Sequence, residues 1–426
     1  MNGIKILLAA SAAALAAAPA AAQVPLTPRA LGMGGAYVAS ARGHEALFLN
    51  PANLGLAGTP RWSIALPQLG VGTTLEGPAW ADLPDMANYD DITDVRKQEL
   101  LDAIPQGGME LRVDSRLPVF ALQTGRFAVG VSYGMVGEHS LGRDLVDLVF
   151  NGYEDGRTDY SVGRTQGSRA TYLDFAAGYG RRVGPLSLGV TGHYLRGRTL
   201  MRSRMFEPRV DVAAEEISVE YVGVLANGGS GYAVDLGAAL QPVRGVTLSA
   251  SVANAFGRMK WSDDLRVRSI TLHRADLEGM ENDPFWIRDE YELSDRALDP
   301  GAATSQEYET ARELYSEAYF PTTLRLGAAW APARGTELGA AYQGNLTEGR
   351  LSGWWDRTAS VGVQQKLPLV TVRAGYATNL EEGRMLTGGL SLGPIQLGAA
   401  RVEDGPSRAG YVMTFGVSTR TPDVLN

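Results

Sequence analysis

The segment RFAVGVSYGM, from Arg126 to Met135, alternates bulky apolar side chains with small ones. Phe127 and the next three odd-numbered residues carry the bulk, whereas the intervening positions are occupied only by Ala, Gly, Ser and Gly. A repeat of two residues is the repeat of a β-strand, because successive side chains of a strand point to opposite faces. The segment therefore predicts a strand with one bulky apolar face and one nearly smooth face.

The same alternation recurs along most of the chain. It appears in TYLDFAAGYG (171–180), LSLGVTGHYL (186–195), VTLSASVANAF (246–256), TLRLGAAWAPA (323–333) and VTVRAGYATNL (370–380). The small face carries an occasional charge, as at Asp174 and Arg373. A two-sheet sandwich would also alternate, but 426 residues without a domain-like linker are too many for one sandwich.

The connections between these strands are alternately tight and long. The tight ones are residues 123–126, 181–185, 241–245, 331–335, 366–370 and 392–396, and the long ones are 75–108, 138–168, 200–229, 261–320, 348–357, 381–384 and 404–409. Short turns at one end and long loops at the other are typical of outer-membrane barrels, and closure leaves no unpaired sheet edge in lipid. The sequence predicts an all-β fold, a transmembrane antiparallel β-barrel of about 14 strands over residues 61–420.

Composition and the N-terminus narrow the class further. The chain has 52 glycines, no cysteine and a formal charge of −8, which argues against a disulfide framework and against a nucleic-acid partner. Residues 1–22 have an early Lys5, an Ala-rich apolar run and an A-x-A site, as secretory signal peptides do. We expect a signal peptide at 1–22 and no membrane-spanning helix after it, because Gly, Pro or charges interrupt every later apolar run.

Signals for catalysis, metals and phosphate are weak. The cluster Gly32-Met33-Gly34-Gly35 lacks the G-K-[ST] of a P-loop and the surrounding βαβ unit of a dinucleotide fold. The four histidines are scattered without the pairing of a zinc site, and no G-x-S-x-G elbow marks a serine nucleophile. We therefore predict no catalytic residue, no metal and no cofactor, and a protein that is not an enzyme.

Four arginines lie at the end of the fifth predicted strand, which begins at Leu186, and just after it: Arg196, Arg198, Arg202 and Arg204. All four have even numbers, as do the bulky apolar residues of this strand, so they would lie on the same outward side of a barrel. There they would emerge just above the lipid band. Guanidinium groups there can bind lipopolysaccharide phosphates bidentately. Pairing with Glu215, Glu216 and Glu220 on the returning segment is the alternative, and the sequence leaves both open.

The stretch RALGMGGAYVASARGHEALFLNPANLGLAG, residues 29–58, precedes the first predicted strand. Together with DVRKQELLDAIPQGGMEL (94–111) it resembles the FadL-like outer-membrane barrels, which include long-chain fatty-acid and hydrocarbon channels, PorV-type barrels and TraF-like barrels. The resemblance implies that residues 23–60 form a hatch of short helices inside the barrel. The residues suit such a plug, because Asn50 can cap a helix that begins at Pro51 and glycines permit close backbone packing.

The same resemblance implies a location and a function. We expect a bacterial outer-membrane channel through which hydrophobic or amphipathic small molecules diffuse, in contact with outer-membrane lipid and lipopolysaccharide. The hatch residues with a possible gating role are Gly32, Met33, Gly34, Gly35, Asn50, Pro51 and Asn53. The alternative is a non-transporting barrel that anchors or docks a secretion- or conjugation-related protein. Residues 421–426 would form a short periplasmic tail.

Overall fold

The computed structural model describes residues 27–88, 91–151, 157, 160–161, 165–205, 209–211, 216–273, 286–292, 305–316, 318–347, 351, 355–405 and 407–421. These residues build one closed antiparallel β-barrel of 14 strands, so the predicted fold class is confirmed. The expected signal peptide, the first residues of the expected hatch (23–26) and residues 422–426 of the expected tail lie outside the described residues.

The barrel strands, numbered in chain order, have the following bounds. They are β1 (Trp62–Ala65 and Leu69–Glu76), β2 (Met109–Thr124), β3 (Phe127–Leu141), β4 (Gln166–Val183), β5 (Leu186–Met205), β6 (Glu216–Ala226 and Gly228–Leu240), β7 (Val246–Asp263 and Arg266–His273), β8 (Thr323–Ala333), β9 (Thr336–Asn345), β10 (Arg357–Lys366), β11 (Val370–Thr378), β12 (Gly383–Leu392), β13 (Ile395–Asp404) and β14 (Arg408–Arg420).

Each strand pairs antiparallel with the next, and β14 pairs with β1 to close the ring. The strand β1 is interrupted at residues 66–68, where Pro67 supplies no ladder donor. The interruption stays attached on both sides, because the Leu66 amide donates to Val417 O at 3.0 Å and the Gln68 amide donates to Pro118 O at 2.9 Å. Closing the ring therefore pairs the backbone amides and carbonyls of the two edge strands, which lipid cannot hydrogen-bond.

Three strands continue beyond the barrel wall as an arm at the long-loop end. The upper part of β6 pairs with the end of β5 and with the upper part of β7, and two short segments, Arg209–Asp211 and Trp286–Glu292, extend the same sheet. The expectation that 200–229 and 261–320 are entirely loops is therefore wrong. These strands were not predicted although β6 carries apolar residues such as Val222 and Val224 there, which are buried against the arm and its helix.

The outward faces of the barrel strands expose large apolar side chains, as a lipid-facing band requires. Examples on widely separated strands are Val129, Leu188, Leu326, Leu386 and Met413. At the short-turn end Trp62 and Trp330 are exposed, as expected for an aromatic girdle. At the long-loop end the girdle consists of Tyr194, Tyr232 and Phe256, whereas Trp261 and Trp355 are buried inside.

The long loops cover the barrel mouth with short helices. Helices Asp94–Asp102 and Arg143–Asn151 pack over the inner face near β1 to β3, and helix Ser305–Ser316 packs over β5 to β7. Thr93 caps the first of these helices, since its hydroxyl accepts from the Arg96 amide at 3.3 Å. Among the helices that the structure describes, none is long and apolar enough to cross a bilayer.

Candidate functional site

The N-terminal segment fills the barrel lumen as a chain of short helical turns. They are Pro28–Gly32, Gly43–Glu45, Ala46–Leu49 and Pro51–Gly55. Every residue from 27 to 56 is buried except Gly35 and Arg42, which are partly exposed. We call residues 27–56 the hatch. The backbone amides and carbonyls of a buried segment need hydrogen-bond partners. The contacts between the hatch and the barrel wall therefore decide whether the hatch can move.

Asn50 joins the hatch to the wall and also begins its last turn. Its Oδ1 accepts from the Ala52 amide at 3.0 Å, and Pro51 occupies the first helical position, as the sequence predicts. Its Nδ2 lies 3.2 Å from two wall carbonyls, those of Ala238 and Ala250. One amide side chain therefore acts both as a helix cap and as a fastening to β6 and β7.

The small inner face of the strands is the surface against which the hatch packs. A Cβ atom on Gly339, Gly362 or Gly375 would collide with the backbone of residues 33–36. The converse holds for Gly34, whose φ is 65° and whose added Cβ would lie 2.9 Å from the Tyr376 amide nitrogen. Glycine on both sides lets two backbones approach directly, which explains the glycine excess of this chain.

Wall side chains donate hydrogen bonds to hatch carbonyl groups. Ser187 Oγ donates to Ala52 O at 2.6 Å, Ser251 Oγ donates to Leu49 O at 2.9 Å, and Arg325 Nη1 donates to Phe48 O at 3.0 Å. Each such bond contributes about 1 kcal/mol net, while a carbonyl left buried without a partner costs more. The hatch is thus held by several modest interactions from β5, β7 and β8.

A buried ion pair stabilises the hatch from within. Arg29 Nη1 lies 3.0 Å from Glu45 Oε2, and the Tyr37 hydroxyl donates to the same oxygen at 3.0 Å. Burial alone would raise the pKa of Glu45, but the Arg29 guanidinium lowers it to about 2. Burial and the adjacent carboxylate raise the pKa of Tyr37 to about 12. At neutral pH the carboxylate is therefore charged and the phenol is protonated.

His44 lies beside this pair and is buried without a charge partner of its own. Its amide donates to Ser63 Oγ at 2.7 Å, and its Nδ1 lies 3.3 Å from the same oxygen. Burial lowers the pKa of His44 to about 4, so the imidazole is neutral at physiological pH. Ser63 in turn donates to Gln123 Oε1 at 3.0 Å, which connects the hatch to β1 and β2.

The hatch separates two cavities. The outer cavity, on the long-loop side, has a volume of about 530 Å³, and it is lined by the apolar side chains of Leu195, Met259 and Phe320 together with the polar side chains of Asn254, Arg258 and Thr322. The inner cavity, at the short-turn end, has a volume of about 360 Å³ and is lined mainly by polar and charged groups. The outer cavity therefore has a lining of mixed polarity, whereas the inner cavity is richer in charged side chains.

Charged side chains also face the lumen directly from the wall. His193 on β5 lies between two carboxylates, with Nδ1 2.9 Å from Asp174 Oδ1 and Nε2 3.4 Å from Asp235 Oδ2. Asp235 Oδ1 also accepts from the Asn254 amide at 2.8 Å, where β7 bulges. These three side chains brace β4, β5, β6 and β7 against one another. Within the described part of the chain, no group of three or more His, Cys, Asp or Glu is arranged to hold a metal ion.

The four arginines of β5 do not share one face. The register between β4 and β5 shifts beside Arg198, and this bulge reverses the inside-outside alternation. Arg196 and Arg198 are exposed on the outside, whereas Arg202 is buried and donates to Leu314 O at 2.6 Å. Arg204 pairs with Glu313 at 3.3 Å. The side chains of Glu215, Glu216 and Glu220 lie outside the described residues, so the alternative pairing stays a prediction.

Comparison with solved structures identifies the architecture. The toluene transporter TbuX of Ralstonia pickettii aligns with a TM-score of 0.52 and 16% identity, covering 93% of this chain and 98% of that one. The monoaromatic hydrocarbon channel CymD aligns with a TM-score of 0.51 and 14% identity, covering 94% and 99%. A FadL homologue of Pseudomonas aeruginosa aligns with a TM-score of 0.51 and 13% identity, covering 95% and 100%.

The chain has the FadL-type barrel fold. The resemblance stated from residues 29–58 and 94–111 is thus confirmed at the level of the fold. A family model described as a family of unknown function, DUF5723, matches residues 207–399 of this FadL-type barrel. No curated protein sequence matches it significantly.

The sequence predicted a luminal segment before the first strand, and its role as a hatch stays a prediction; the groups that fasten the segment were not predicted. Arg29, Tyr37 and Glu45 form a buried network. Its members are 8 to 16 residues apart and lie on separate turns, so no local repeat in the sequence indicates that they meet. Arg325 and Ser187 were also missed, although they belong to a strand face that is otherwise small. A charge or hydroxyl on the small face of a barrel strand is the signal that would have found them.

Proposed function

We propose that this FadL-type barrel is an outer-membrane channel through which hydrophobic or amphipathic small molecules diffuse. The observation that carries the proposal is a hatch that fills the lumen beneath a cavity partly lined by apolar side chains, in a fold shared with transporters of toluene and other monoaromatic hydrocarbons. In this proposal the short turns face the periplasm and the long loops face outward.

The outer cavity has the size of a small-ligand site and a lining of mixed polarity. Its volume of about 530 Å³ falls within the range of ligand pockets. Leu195, Met259 and Phe320 supply apolar surface, while Asn254 and Thr322 supply polar atoms at one side. A small aromatic or aliphatic molecule with one polar group fits this chemistry.

The hatch would act as the gate. Gly32, Gly34 and Gly35 allow close packing, Met33 fills the space between facing glycines, and Asn50, Pro51 and Asn53 shape and fasten the last turn. Asn53 Nδ2 donates to Val38 O at 2.8 Å, which ties the two halves of the hatch together. Passage of a ligand requires the hatch to shift as a unit. The ion pair inside the hatch holds it together more strongly than any single hydrogen bond holds it to the wall.

Arg196 and Arg198 would contact lipopolysaccharide. Both are exposed on the outer face of β5, directly beyond Tyr194 of the aromatic girdle. Arg196 also lies 3.5 Å from Asp263, an exposed pair that competes only weakly with phosphate. Arg202 and Arg204 serve instead to hold helix Ser305–Ser316.

Uptake across an intact outer membrane tests the transport proposal. Cells that lack comparable channels would express the protein or a variant without residues 27–56, and uptake of labelled p-xylene and octanol would be followed. We expect uptake with the intact protein and faster, less selective uptake without the hatch. No uptake by either form, together with a stoichiometric protein partner after purification, would contradict transport and favour the docking alternative.

A further inference from the structure

We propose that the inner cavity is an anion-binding site that takes one oxyanion group, such as a carboxylate or a phosphate. Five basic side chains and one acidic side chain line it: Arg29, Arg42, Lys366, Arg373, Arg420 and Glu337. We call this cavity the basic vestibule. Its volume of about 360 Å³ accommodates an inorganic anion or the head group of a larger molecule.

Arg373 is the strongest single indication. Its side chain is only 8% exposed, and its Nε and Nη1 donate to Gln364 Oε1 and Ser391 Oγ, each at 2.7 Å. Both partners are neutral. Within the described part of the chain, no carboxylate lies within ion-pair distance of this guanidinium. A buried charge without a counter-charge is costly, so an anion in the vestibule would supply what the protein does not.

The hatch contributes a second group without a partner. Ser40 is 8% exposed and lines the vestibule, and its Oγ has no hydrogen-bond partner. A hydroxyl in this position can donate to an oxyanion oxygen, as a guanidinium does from the opposite side. Arg29, by contrast, is already neutralised by Glu45.

The single carboxylate does not reverse the balance. Glu337 lines the vestibule with an Oε1 atom that also has no hydrogen-bond partner. Arg29 is compensated by Glu45, but the other four cations outnumber Glu337 and leave a positive potential in a confined cavity, which attracts anions. The vestibule therefore selects oxyanions over neutral or cationic molecules.

A bound anion would bridge the hatch and the wall. Ser40 and Arg42 belong to the hatch, whereas Lys366 on β10, Arg373 on β11 and Arg420 on β14 belong to the wall. A ligand held by both sides stabilises the arrangement in which they are close. Anion binding is therefore expected to slow hatch opening. This inference does not depend on the transport proposal, because it concerns binding and hatch stability alone.

The experiment measures binding to the purified full-length protein in non-ionic detergent. The probes are inorganic phosphate, octanoate below its micellar concentration, and octanol as the neutral match for octanoate. Titration calorimetry would compare the parent protein with Arg373→Gln and Arg373→Lys. The control is Arg384→Gln, because Arg384 lies on neighbouring β12 with an exposed side chain that pairs with Glu403.

We expect phosphate or octanoate to bind, octanol not to bind at this site, and Arg373→Gln to weaken binding by at least about tenfold, as loss of a charge-assisted hydrogen bond does. Arg373→Lys would restore part of the affinity, and Arg384→Gln would leave it unchanged. Phosphate binding identifies a site for small anions, and octanoate binding without phosphate binding identifies a head-group site; both support the proposal.

The proposal would be overturned if neither anion bound, if octanol competed equally with octanoate, or if Arg373→Gln left affinity intact. A gel-mobility shift on heating would verify that each variant is a folded barrel. If Arg373→Gln does not fold, Ser40→Ala and Lys366→Gln test the same vestibule from the hatch and from its rim. Unchanged affinity in both would equally overturn the proposal.

Discussion

Arg29 and Glu45 form an ion pair inside the barrel lumen, with 3.0 Å between Nη1 and Oε2 and almost no solvent exposure on either side chain. The two residues belong to different turns of the hatch, so the pair closes the segment on itself. With the carboxylate ionised and the guanidinium protonated, the hatch adds no net charge to the lumen through this pair. The hatch is therefore a self-stabilised plug, and the wall only holds it in place.

Removing one member of this pair should release the hatch. We expect Glu45→Gln to destabilise the closed hatch by about 3 to 5 kcal/mol, because Arg29 would remain buried without a counter-charge. Limited proteolysis within residues 27–56 measures the effect. The exposed pair of Arg204 and Glu313 is the control, and Arg204→Gln should cost about 0.5 kcal/mol or less. Equal protease resistance of Glu45→Gln and the parent would contradict this role.

Acidification should loosen the hatch through His44. Its pKa in the folded protein is about 4, below its ordinary value of 6.5, so the unfolded segment binds the proton more readily. The stabilisation is complete above pH 6.5 and is lost as pH falls toward 4, by up to about 3 kcal/mol. Below pH 4.5 the loss of the Glu45 charge would add to it as pH approaches 2.

Thiol labelling can follow this pH dependence because the chain has no cysteine. A cysteine at the fully buried Ala41 would report hatch opening, with a cysteine at the exposed Ser262 correcting for the chemistry of the reagent. The corrected labelling rate should rise between pH 6.5 and 4. In a His44→Gln background that rise should disappear. Its persistence would show that another group titrates.

Inward glycines should be intolerant where the hatch touches them. Gly375→Val places a branched side chain against Met33 and Gly34, and overpacking of this kind costs about 1 to 3 kcal/mol. The matched control is Ala374→Val, one residue earlier on β11, whose side chain points outward. Single-channel recordings should show more frequent openings for Gly375→Val than for Ala374→Val. Identical recordings would mean that the hatch does not limit conductance.

Filling the outer cavity should reduce uptake of hydrophobic molecules. Ala233 is buried and lines this cavity on β6, so Ala233→Trp removes much of its space. Leu236→Trp places the same side chain on the outward face of the same strand, where Leu236 is exposed. We expect Ala233→Trp to lower p-xylene uptake several-fold while Leu236→Trp leaves it unchanged. Equal uptake by the two variants would show that the molecules take a different route through the lumen.

The local sequence was sufficient for the barrel itself. Strand alternation, as in β3, and the contrast between tight turns and long loops predicted 14 strands. The reason is that a strand in contact with lipid needs an apolar side chain at every second residue. A sheet in lipid must also close, because its edges cannot stay unpaired. Asn50 and Pro51 likewise predicted a helical turn from capping chemistry, which is local.

The arm and the arginines show where local pattern failed. The bulge beside Arg198 inserts one residue, so Arg202 faces inward although its parity matches that of Arg196. Trp261, near the end of a barrel strand, is absent from the aromatic girdle because it is buried against helix Ser305–Ser316, where its Nε1 donates to Ala318 O at 3.2 Å. In both cases partners distant in sequence decided the environment of the side chain.

The sequence by itself determined the strand count, the closed barrel and the presence of a compact N-terminal segment, because each follows from alternation, turn chemistry and helix capping over a few residues. Only the tertiary structure decided what the small inner faces are for. It brought Arg29 to Glu45, Asn50 to β6 and β7, and Arg373 to an inner cavity without a carboxylate partner. Contacts between a plug and a wall depend on which strands close around it, and no local pattern encodes that.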